Sequence, residues 1–474
     1  MKSKSKAPHA RAEREPTPSR VPARKLFGTD GVRGVANEPP MTPETVTLLG
    51  RAIAVVAGRG KPHAPRILIG KDTRLSGYMI ESSLSAGICA MGGRVILCGP
   101  VPTPAVAHLT VGMRADAGIV ISASHNAYAD NGIKVFGTDG FKLPDETEAE
   151  IEALMEDGGS AMTTRPTGPG IGRAEKLEDS RGRYVSFAKS TFPRDLSADG
   201  VRVVIDAAHG AAYKVAPMVF SELGAHTTAI GVKPNGVNIN KDCGALHPDY
   251  VRGEVVKRGA QIGIALDGDA DRLILVDEKG QVVDGDVIMA MCAKAMLASG
   301  ALKKKTVVAT VMSNLGLERA LNDVGAKLVR TQVGDRYVVE TMRANGYNFG
   351  GEQSGHLVFL DHAQTGDGIV AALQVLALML RANKPLSELA ANAMTRLPQV
   401  LVNVTLKARK PLEQMPKLSA LSAKVNAELG DEGRLLVRWS GTEPKLRIML
   451  EGPDEPRLRD LAHALAEASK LDIA

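Results

Sequence analysis

Three aspartates spaced two residues apart carry the strongest chemical signal in the sequence. Asp267, Asp269 and Asp271 occur in the segment Asp-Gly-Asp-Ala-Asp-Arg, between two apolar runs predicted as strands, Ile262–Leu266 and Leu273–Val276. On a tight loop, three carboxylates can converge on one hard cation and leave coordination positions open for substrate or phosphate oxygens. Without a cation, carboxylates this close would repel one another. The segment therefore predicts a metal site.

Two other interpretations of this segment remain open at this stage. A calcium-binding EF-hand loop would use Glu278 at its twelfth position, but its sixth position requires glycine and holds Arg272. The flanks are also predicted as strands rather than helices. An acidic turn that binds no metal is the second alternative.

A second polar segment, Ser-Ala-Ser-His-Asn at residues 122–126, follows another apolar strand. Either Ser122 or Ser124 could act as a nucleophile, although the absence of a G-x-S-x-G elbow disfavours an α/β-hydrolase. A phosphoryl acceptor needs a nearby cation and acid–base groups instead, and His125 and Lys134 are candidates. By itself, the segment is equally typical of a polar turn after a strand.

Two further segments pair glycine with groups that can bind a ligand. In Gly-Gly-Glu-Gln-Ser-Gly-His at 350–356, Glu352, Ser354 and His356 offer the acceptor and donor groups that sugar hydroxyls require. In the segment 27–34, clustered glycines and Arg33 suit a loop over an anionic ligand. Plain polar or glycine-rich turns are the alternatives.

The segment 438–447 combines arginines, hydroxyl groups and a glycine-containing turn. Arg438 and Arg447 can bind a phosphate dianion in bidentate geometry, and free backbone N–H groups of the turn can add to it. A surface turn with solvated arginines is the alternative. Trp439, the only tryptophan, is predicted to pack rather than to form a sugar platform.

The elements that must position these segments alternate between short apolar strands and helices. This alternation favours α/β units on parallel or mixed sheets. Thr42 and Pro43 predict the N-cap and first turn of a helix that ends near Gly58. Besides 262–266, strands are predicted at 66–69, 94–98, 117–121, 201–205, 306–311 and 327–330, and a helix at 77–91.

Breaks in this pattern predict four domains after an N-terminal tail. A Gly/Pro/Thr-rich stretch lies at 158–172, a softer boundary at 273–280, and another break at 383–385. The last part reads strand, helix, strand, strand, helix, which predicts an α+β module. The predicted units are a disordered basic tail (1–25), α/β domains at 26–170, 171–272 and 273–384, and an α+β domain at 385–474.

Length and composition agree with this organisation. The 474 residues exceed one domain, and 44% hydrophobic, 24% charged and 3% aromatic residues exclude a disordered chain, a collagen and a coiled coil. The longest apolar run, near 368–380, is interrupted by Gln374 and is too short to span a bilayer. No membrane association is therefore expected.

The net charge of +6 belongs to the first 25 residues, since basic and acidic residues balance in the remainder. A nucleic-acid partner is therefore not expected. The tail has no apolar h-region, so it is not predicted to be a secretory signal. Four cysteines without CxxC spacing favour a reducing cytoplasm and disfavour zinc.

Taken together and in this order, the five segments resemble the α-D-phosphohexomutases. FGTDGVRG, SASHN, DGDADR, GEQSGH and RWSGTEP each match a family signature, over about residues 26–470. The resemblance implies three related α/β domains with mixed sheets and a C-terminal α+β domain around a central cleft. It also implies a phosphoserine enzyme that moves a phosphoryl group through a 1,6-bisphosphate intermediate.

The resemblance implies a role for each candidate residue. Ser124 would carry the phosphoryl group, and its phosphate would share one Mg²⁺ with Asp267, Asp269 and Asp271. Lys134 and Arg33 would assist proton transfer and polarise the phosphoryl group, Arg272 would lie beside the metal loop, and His125 would complete the catalytic set. Glu352, Ser354 and His356 would contact the sugar ring. The non-reacting phosphate would be held by Arg438, Ser440, Gly441, Thr442 and Arg447.

Within the family, the FGTDGVRG opening, Gln353 and the VGDRYV segment at 333–338 favour the members that act on glucosamine phosphates and so supply cell-wall precursors. A hexose 1,6-bisphosphate would be the primer, and a monomer or homodimer is expected. The alternatives are a mannose or glucose phosphate substrate and a catalytically silent sugar-phosphate binding protein.

Two residues depart from the family pattern. Ala127 follows SASHN and Trp439 precedes SGTEP, where the family usually has proline. Both replacements remove a restraint on φ near a phosphate-handling loop but no reactive group. Activity is therefore expected, with loop rigidity in question.

Overall fold

The computed structural model describes residues 25–440 and 445–473. Their strands form four sheets, of six, five, four and three strands. The first three sheets mix parallel and antiparallel pairs, and the fourth is antiparallel. The predicted fold class, three α/β domains followed by an α+β domain, is confirmed.

The first sheet contains six strands: β1 (Val32–Val35), β2 (Arg66–Lys71), β3 (Arg94–Pro100), β4 (Ala117–Ile121), β5 (Asp130–Phe136) and β6 (Arg173–Lys176). Their order is β1-β5-β4-β2-β3-β6, with only β5 antiparallel to its two neighbours. Thr42 caps the first helix by accepting a hydrogen bond from the backbone N–H of Thr45, as predicted. The helices are α1 (Pro43–Gly58), α2 (Gly77–Ala90), α3 (Thr103–Gly112) and α4 (Asp145–Met155).

The second sheet repeats this arrangement. Its strands are β7 (Arg202–Asp206), β8 (His226–Ile230), β9 (Ile262–Leu266), β10 (Leu273–Asp277) and β11 (Val282–Val283). β7 is parallel to β8 and β9, whereas β10 is antiparallel to β9 and β11. The accompanying helices are α5 (Ser180–Ser190), α6 (Val215–Glu222) and α7 (Asp249–Arg258).

The third sheet is a shorter version of the same pattern. Its strands are β12 (Thr306–Thr310), β13 (Lys327–Thr331), β14 (Phe349–Gly351) and β15 (Leu357–Phe359). β12 is parallel to β13 and β14, and β15 is antiparallel to β14. The helices are α8 (Gly285–Ala298), α9 (Leu315–Asn322), α10 (Asp335–Asn345), α11 (Gly368–Ala382) and α12 (Leu386–Ala391).

The C-terminal domain has the predicted order of strand, helix, strand, strand, helix. It contains β16 (Gln399–Thr405), α13 (Pro416–Leu429), β17 (Arg434–Trp439), β18 (Lys445–Glu451) and α14 (Glu455–Ile473). β18 lies between β16 and β17, antiparallel to both. None of the helices in the described part of the chain combines the length and apolarity needed to cross a membrane.

The sheets extend past two of the predicted domain boundaries. β6 pairs with β3 of the first sheet, although residues 173–176 were assigned to the second domain. β10 and β11 pair within the second sheet, although residues from 273 onward were assigned to the third. Local composition marks loops, whereas sheet membership depends on pairing between distant strands.

Three of the candidate segments occupy equivalent places in the three mixed sheets. Each lies in the connection between a strand with a parallel neighbour and the antiparallel strand that follows it. Residues 122–129 connect β4 to β5, residues 267–272 connect β9 to β10, and residues 352–356 connect β14 to β15. The repeated topology therefore gives each of these three domains one equivalent loop.

Candidate active site

Ser124 is the buried centre of the first loop. Its hydroxyl donates a hydrogen bond to Asp267 Oδ2 over 2.6 Å, which joins the serine loop to the aspartate loop. The backbone N–H of Ser124 donates to Ser122 Oγ, and Ser122 Oγ donates to Asp72 Oδ2. Ser122 therefore supports the loop, and Ser124 presents its oxygen to the predicted metal site.

His125 lies beside the same hydroxyl. Its Nδ1 is 3.3 Å from Ser124 Oγ. Burial, together with the positive charges of Arg272 and Arg33, lowers the pKa of His125 to about 4. The imidazole is therefore neutral near pH 7 and can exchange a proton at the serine oxygen.

The three aspartates converge as the sequence predicts. One carboxylate oxygen from each of Asp267, Asp269 and Asp271 lies within 4.8 Å of the others, and all three side chains are buried. Thr103 orients one of them by donating to Asp269 Oδ2 over 2.7 Å. Burial raises the pKa of Asp267 well above its usual value, and the charges of Asp271 and Asp269 raise it too.

The oxygens of this cluster fit a hard cation. Asp269 Oδ1 and Asp271 Oδ1 are buried and have no hydrogen-bond partner among the described residues. Unpartnered buried carboxylate oxygens are costly unless a cation compensates them. An all-oxygen set with open positions is the type of site that Mg²⁺ prefers.

Lys134 provides the nearest fixed positive charge. Its Nζ lies 3.2 Å from Asp269 Oδ2, 3.4 Å from Asp271 Oδ2 and 3.3 Å from Asp30 Oδ2. Although burial lowers the pKa of Lys134, Asp269, Asp30 and Asp271 together raise it well above the usual value. Lys134 therefore carries a positive charge at neutral pH, and this charge can stabilise phosphoryl oxygens.

Arg33 reaches the same cluster through Asp30. Its guanidinium pairs with Asp30, which also pairs with Lys142. Gly31, with φ of +80°, packs this loop against β5, since a Cβ there would lie 2.3 Å from Ile133 O. The FGTDGVRG loop is thus tied to the strand that carries Lys134.

The third loop, residues 352–356, contributes one buried and one exposed polar side chain. Glu352 is buried, and its carboxylate accepts from Gly334 N over 3.2 Å and from Ser354 Oγ over 3.4 Å. Ser354 is exposed. Arg272 bridges this loop to the aspartates: its backbone pairs with that of His356, and its N–H donates to Asp267 Oδ1.

His356 lies deeper than the other two predicted sugar contacts. Its Nδ1 is 3.7 Å from Asp271 Oδ2, and its Nε2 is 3.4 Å from Asp335 Oδ2. Burial lowers the pKa of His356, but these carboxylates outweigh burial and raise it. The ring therefore lies between the aspartate loop and Asp335 at the start of α10, and its Nε2 also accepts a hydrogen bond from the N–H of Gly366 over 3.2 Å.

The predicted phosphate-binding arginines lie opposite each other on adjacent strands. Arg438 of β17 pairs in register with Arg447 of β18. Burial lowers the pKa of Arg438, and the charge of Arg447 lowers it further. The Nε atoms of both arginines are buried without a partner among the described residues, so two donors remain for an anion.

The rest of this segment is described in part. Ser440 is buried next to the pair, and its N–H donates to Lys445 O over 2.8 Å. Trp439 packs against the core of the C-terminal domain and donates from Nε1 to Lys410 O, as its predicted packing role requires. Gly441 and Thr442 lie outside the described residues.

Sequence reasoning missed four residues that complete the site. Asp30, Thr103, Lys142 and Asp335 all contact the predicted residues or one another, and Lys142 Nζ lies 2.6 Å from Asp335 Oδ2. Asp30 and Asp335 lie inside segments already singled out, so their charge was a usable signal. Thr103 and Lys142 carry no local signal, because only the tertiary fold brings them to the aspartates.

Comparison with known proteins agrees with this geometry. Four domain models described as phosphoglucomutase/phosphomannomutase match the chain: domain I at 24–162, domain II at 183–280, domain III at 284–397 and the C-terminal domain at 401–468. A phosphoglucosamine mutase of Sorangium cellulosum is 65% identical over 451 residues, covering 95% of this chain and 94% of its own. One from Anaeromyxobacter dehalogenans is 58% identical, covering 94% and 98%.

Solved structures show the same fold at lower identity. A phosphoglucomutase/phosphomannomutase family protein from Burkholderia thailandensis superposes with a TM-score of 0.78 at 23% identity, covering 94% of this chain and 97% of its own. The N-acetylphosphoglucosamine mutase of Aspergillus fumigatus, solved with GlcNAc-6P and magnesium, gives 0.65 at 19% identity, covering 95% and 96%. The chain therefore belongs to the α-D-phosphohexomutase family, and within it to the phosphoglucosamine mutases.

Proposed function

We propose that the chain interconverts glucosamine 6-phosphate and glucosamine 1-phosphate, with Ser124 as the residue that carries the transferred phosphoryl group. The observation that supports this most is the 2.6 Å hydrogen bond between Ser124 Oγ and Asp267, which places a buried hydroxyl on a carboxylate cluster. The identity to phosphoglucosamine mutases supports the amino-sugar substrate.

The reaction conserves phosphate and needs no external acceptor. Phosphoserine 124 donates its phosphoryl group to the C1 hydroxyl of glucosamine 6-phosphate, so that the Ser124 O–P bond breaks and a bond from P to the sugar oxygen forms. The resulting 1,6-bisphosphate reorients, and its 6-phosphoryl group returns to Ser124. A hexose 1,6-bisphosphate serves as the primer for unphosphorylated protein.

The residues of the first two domains manage charge during this transfer. Asp267, Asp269 and Asp271 would hold Mg²⁺ together with an oxygen of the phosphoserine, and the ion would neutralise negative charge on the phosphoryl oxygens. Lys134 supplies a permanent positive charge beside them, and Arg33 and Arg272 add two more. Fixed charges of this kind stabilise an in-line transfer without reorganisation.

Proton transfer is assigned to His125. The neutral Nδ1 lies 3.3 Å from Ser124 Oγ, so it can relay the proton that leaves the sugar hydroxyl and returns to the serine oxygen. Lys134, which pairs with three carboxylates that raise its pKa, is assigned the stabilisation of phosphoryl charge beside His125.

The other two domains orient the sugar. Glu352 and Ser354 would bind ring hydroxyls. His356 would hold the loop at 352–356 in place through its contact with Asp335. Arg438, Ser440 and Arg447, with Gly441 and Thr442, would hold the non-reacting phosphate. Because this clamp lies on a separate domain, one charge contact serves both orientations of the bisphosphate.

The decisive experiment is ³¹P NMR of the purified full chain with Mg²⁺ and a trace of hexose 1,6-bisphosphate. Glucosamine 6-phosphate, glucose 6-phosphate and mannose 6-phosphate are supplied in parallel, with a chelator added to a matched set. We expect the 1-phosphate signal to grow at least about tenfold faster from glucosamine 6-phosphate and to vanish with chelator. Preference for glucose or mannose would contradict the amino-sugar substrate, and no turnover with phosphorylated Ser124 would favour a binding protein.

A further inference from the structure

A second set of contacts holds the backbone of the Ser124 loop, and it comes from two domains. Arg74 Nη2 donates to Ser124 O over 3.3 Å and to Asn126 O over 2.5 Å. Asn240 Nδ2 donates to the same two carbonyl oxygens, over 2.9 and 3.0 Å. Arg74 follows β2 of the first domain, whereas Asn240 lies between β8 and α7 of the second. Side chains of the first and the second domain therefore both hold the backbone of the Ser124 loop.

The clamped residue has an unusual backbone conformation. Ser124 has φ of +52°, in the left-handed region that side chains other than glycine rarely adopt. Such conformations persist only where surrounding contacts impose them, and they are concentrated at functional sites. The N–H of Ser124 is held by Ser122 and its carbonyl by Arg74 and Asn240. The contacts thus fix the backbone on both sides of the side chain that reacts.

Asn240 also lies against the aspartate loop. A Cβ on Gly268 would lie 2.6 Å from Ser124 O and 2.9 Å from Asn240 Nδ2, so the three segments meet at van der Waals distance. Asn240 is itself buried, and its N–H donates to Ala208 O over 2.9 Å. Its amide therefore sits at the point where the serine loop packs on the loop of Asp267, Asp269 and Asp271.

We propose that Asn240 is a positioning residue for phosphoryl transfer, because it fixes the carbonyls of Ser124 and Asn126 and thereby aligns Ser124 Oγ on the aspartate loop. This inference rests on the proposed function. Asn240 touches neither the third-domain loop nor the arginine clamp through any hydrogen bond of the described residues. Its loss should therefore slow transfer at Ser124 without weakening sugar binding.

Two substitutions separate the hydrogen bonds from the shape of the side chain. Asn240→Ala removes the two hydrogen bonds and also the shape of the side chain. Asn240→Asp keeps the shape, but its carboxylate has no N–H to donate and would face the carbonyl oxygens of Ser124 and Asn126. Asn238→Ala is the matched control, because Asn238 lies on the same loop and the hydrogen bonds of its side chain within the described part of the chain are those with Asn235 N and Lys233 O. Neither Asn240 variant leaves a buried cation unpaired, since Arg74 keeps its partner Asp72.

The readouts are the single-turnover rate of Ser124 phosphorylation by hexose 1,6-bisphosphate, followed by intact mass, and steady-state kcat and KM. For both Asn240 variants we expect the phosphorylation rate and kcat to fall about 10–100-fold, since displacement of a reacting atom by about 1 Å has an effect of this size. We expect KM for glucosamine 6-phosphate to stay within about twofold and Asn238→Ala to behave as wild type. Thermal unfolding establishes that each variant is folded.

Three results would overturn the inference: phosphorylation rates within about twofold of wild type, a fall in rate matched by Asn238→Ala, or wild-type behaviour of Asn240→Asp. A wild-type chain that accepts a phosphoryl group on Ser124 but turns over no sugar phosphate would refute the proposed function alone. The phosphorylation rates of the variants would then still decide the role of Asn240. A wild-type chain that accepts none would refute both.

Discussion

The two charged regions of this protein are built on opposite principles. In the reacting region, around Ser124 and the three aspartates, charges of both signs are buried together, and Lys134 alone contacts three carboxylates. In the arginine clamp, Arg438 and Arg447 face each other as like charges, and no carboxylate of residues 25–440 or 445–473 forms an ion pair with either of them. The charges of the first region are largely compensated within the chain, whereas the described residues leave the two arginines of the second region uncompensated.

This difference fits the functions proposed for the two regions. Phosphoryl transfer depends on charges held in position before the reaction, so the reacting region gains from internal pairing. A phosphate-binding region must offer unsatisfied donors, and it accepts some repulsion in the free protein for that purpose. Substitutions should therefore have opposite effects on stability in the two regions.

The largest expected effect is the loss of turnover in Ser124→Ala. Without the hydroxyl, no phosphoserine forms, and we expect kcat to fall by at least about 10⁴-fold. The protein should remain folded and still bind glucosamine 6-phosphate, because the arginine clamp is intact. Coupled assay and calorimetry measure the two quantities; turnover near the wild-type rate would exclude Ser124 as the phosphoryl carrier.

Replacing Lys134 by Met tests the compensated region. The change leaves Asp269, Asp271 and Asp30 without the cation that they share. We therefore expect the free energy of unfolding to fall by about 3–5 kcal/mol and kcat to fall sharply. Urea unfolding with and without Mg²⁺ measures the loss. Wild-type stability in Lys134→Met would show that the carboxylates are compensated by something else.

Arg438→Gln tests the uncompensated region. We expect KM for glucosamine 6-phosphate to rise about 10–100-fold through lost charge-assisted hydrogen bonds, with a smaller change in kcat. The free protein should be as stable as wild type or more stable by about 0.5 kcal/mol, since one member of a like-charge pair on facing strands is gone. A marked loss of stability would contradict the proposed division between the two regions.

The smallest effect on activity is expected outside both regions, at Asp286 on α8. Asp286 is buried, and burial raises its pKa from 3.8 to about 6. The folded protein binds this proton more tightly than the unfolded chain, so ionised Asp286 opposes folding by up to about 3 kcal/mol above pH 7. Asp286→Asn should therefore be more stable than wild type at pH 8, with an advantage that shrinks as the pH falls through about 6 towards 4.

Thermal unfolding of Asp286→Asn at pH 8 and pH 5 measures this difference, with turnover as the control. Its kcat and KM should match wild type, because Asp286 contacts Asn314 rather than the site. An advantage that grows at low pH would contradict the sign of the shift.

Much of the site was predictable because its residues are clustered in sequence. The alternating carboxylates of 267–271 need only a tight loop to converge, and the loop lies between the two strands that the apolar runs predict. The order of elements in the C-terminal domain was predictable for the same reason, since periodicity and turn residues are local signals.

What the sequence could not supply was pairing over long distances. The places of β6 and β10 in their sheets depend on which strands they pair with, and local composition does not predict this pairing. The predicted domain boundaries therefore lie before both strands. The sequence predicts His356 as a sugar contact by residue type, but only the fold shows that its ring lies between Asp271 and Asp335.

By itself, then, the sequence determined which groups could do chemistry: the serine loop, the aspartate loop, the polar segment at 350–356 and a pair of arginines. The tertiary structure alone decided which of these groups compensate one another. It brought Thr103, Lys142 and Asn240 to the reacting loops and left Arg438 and Arg447 facing each other. The physical reason is that a charge or a donor acquires its energy from its burial and its neighbours, and both are properties of the folded chain.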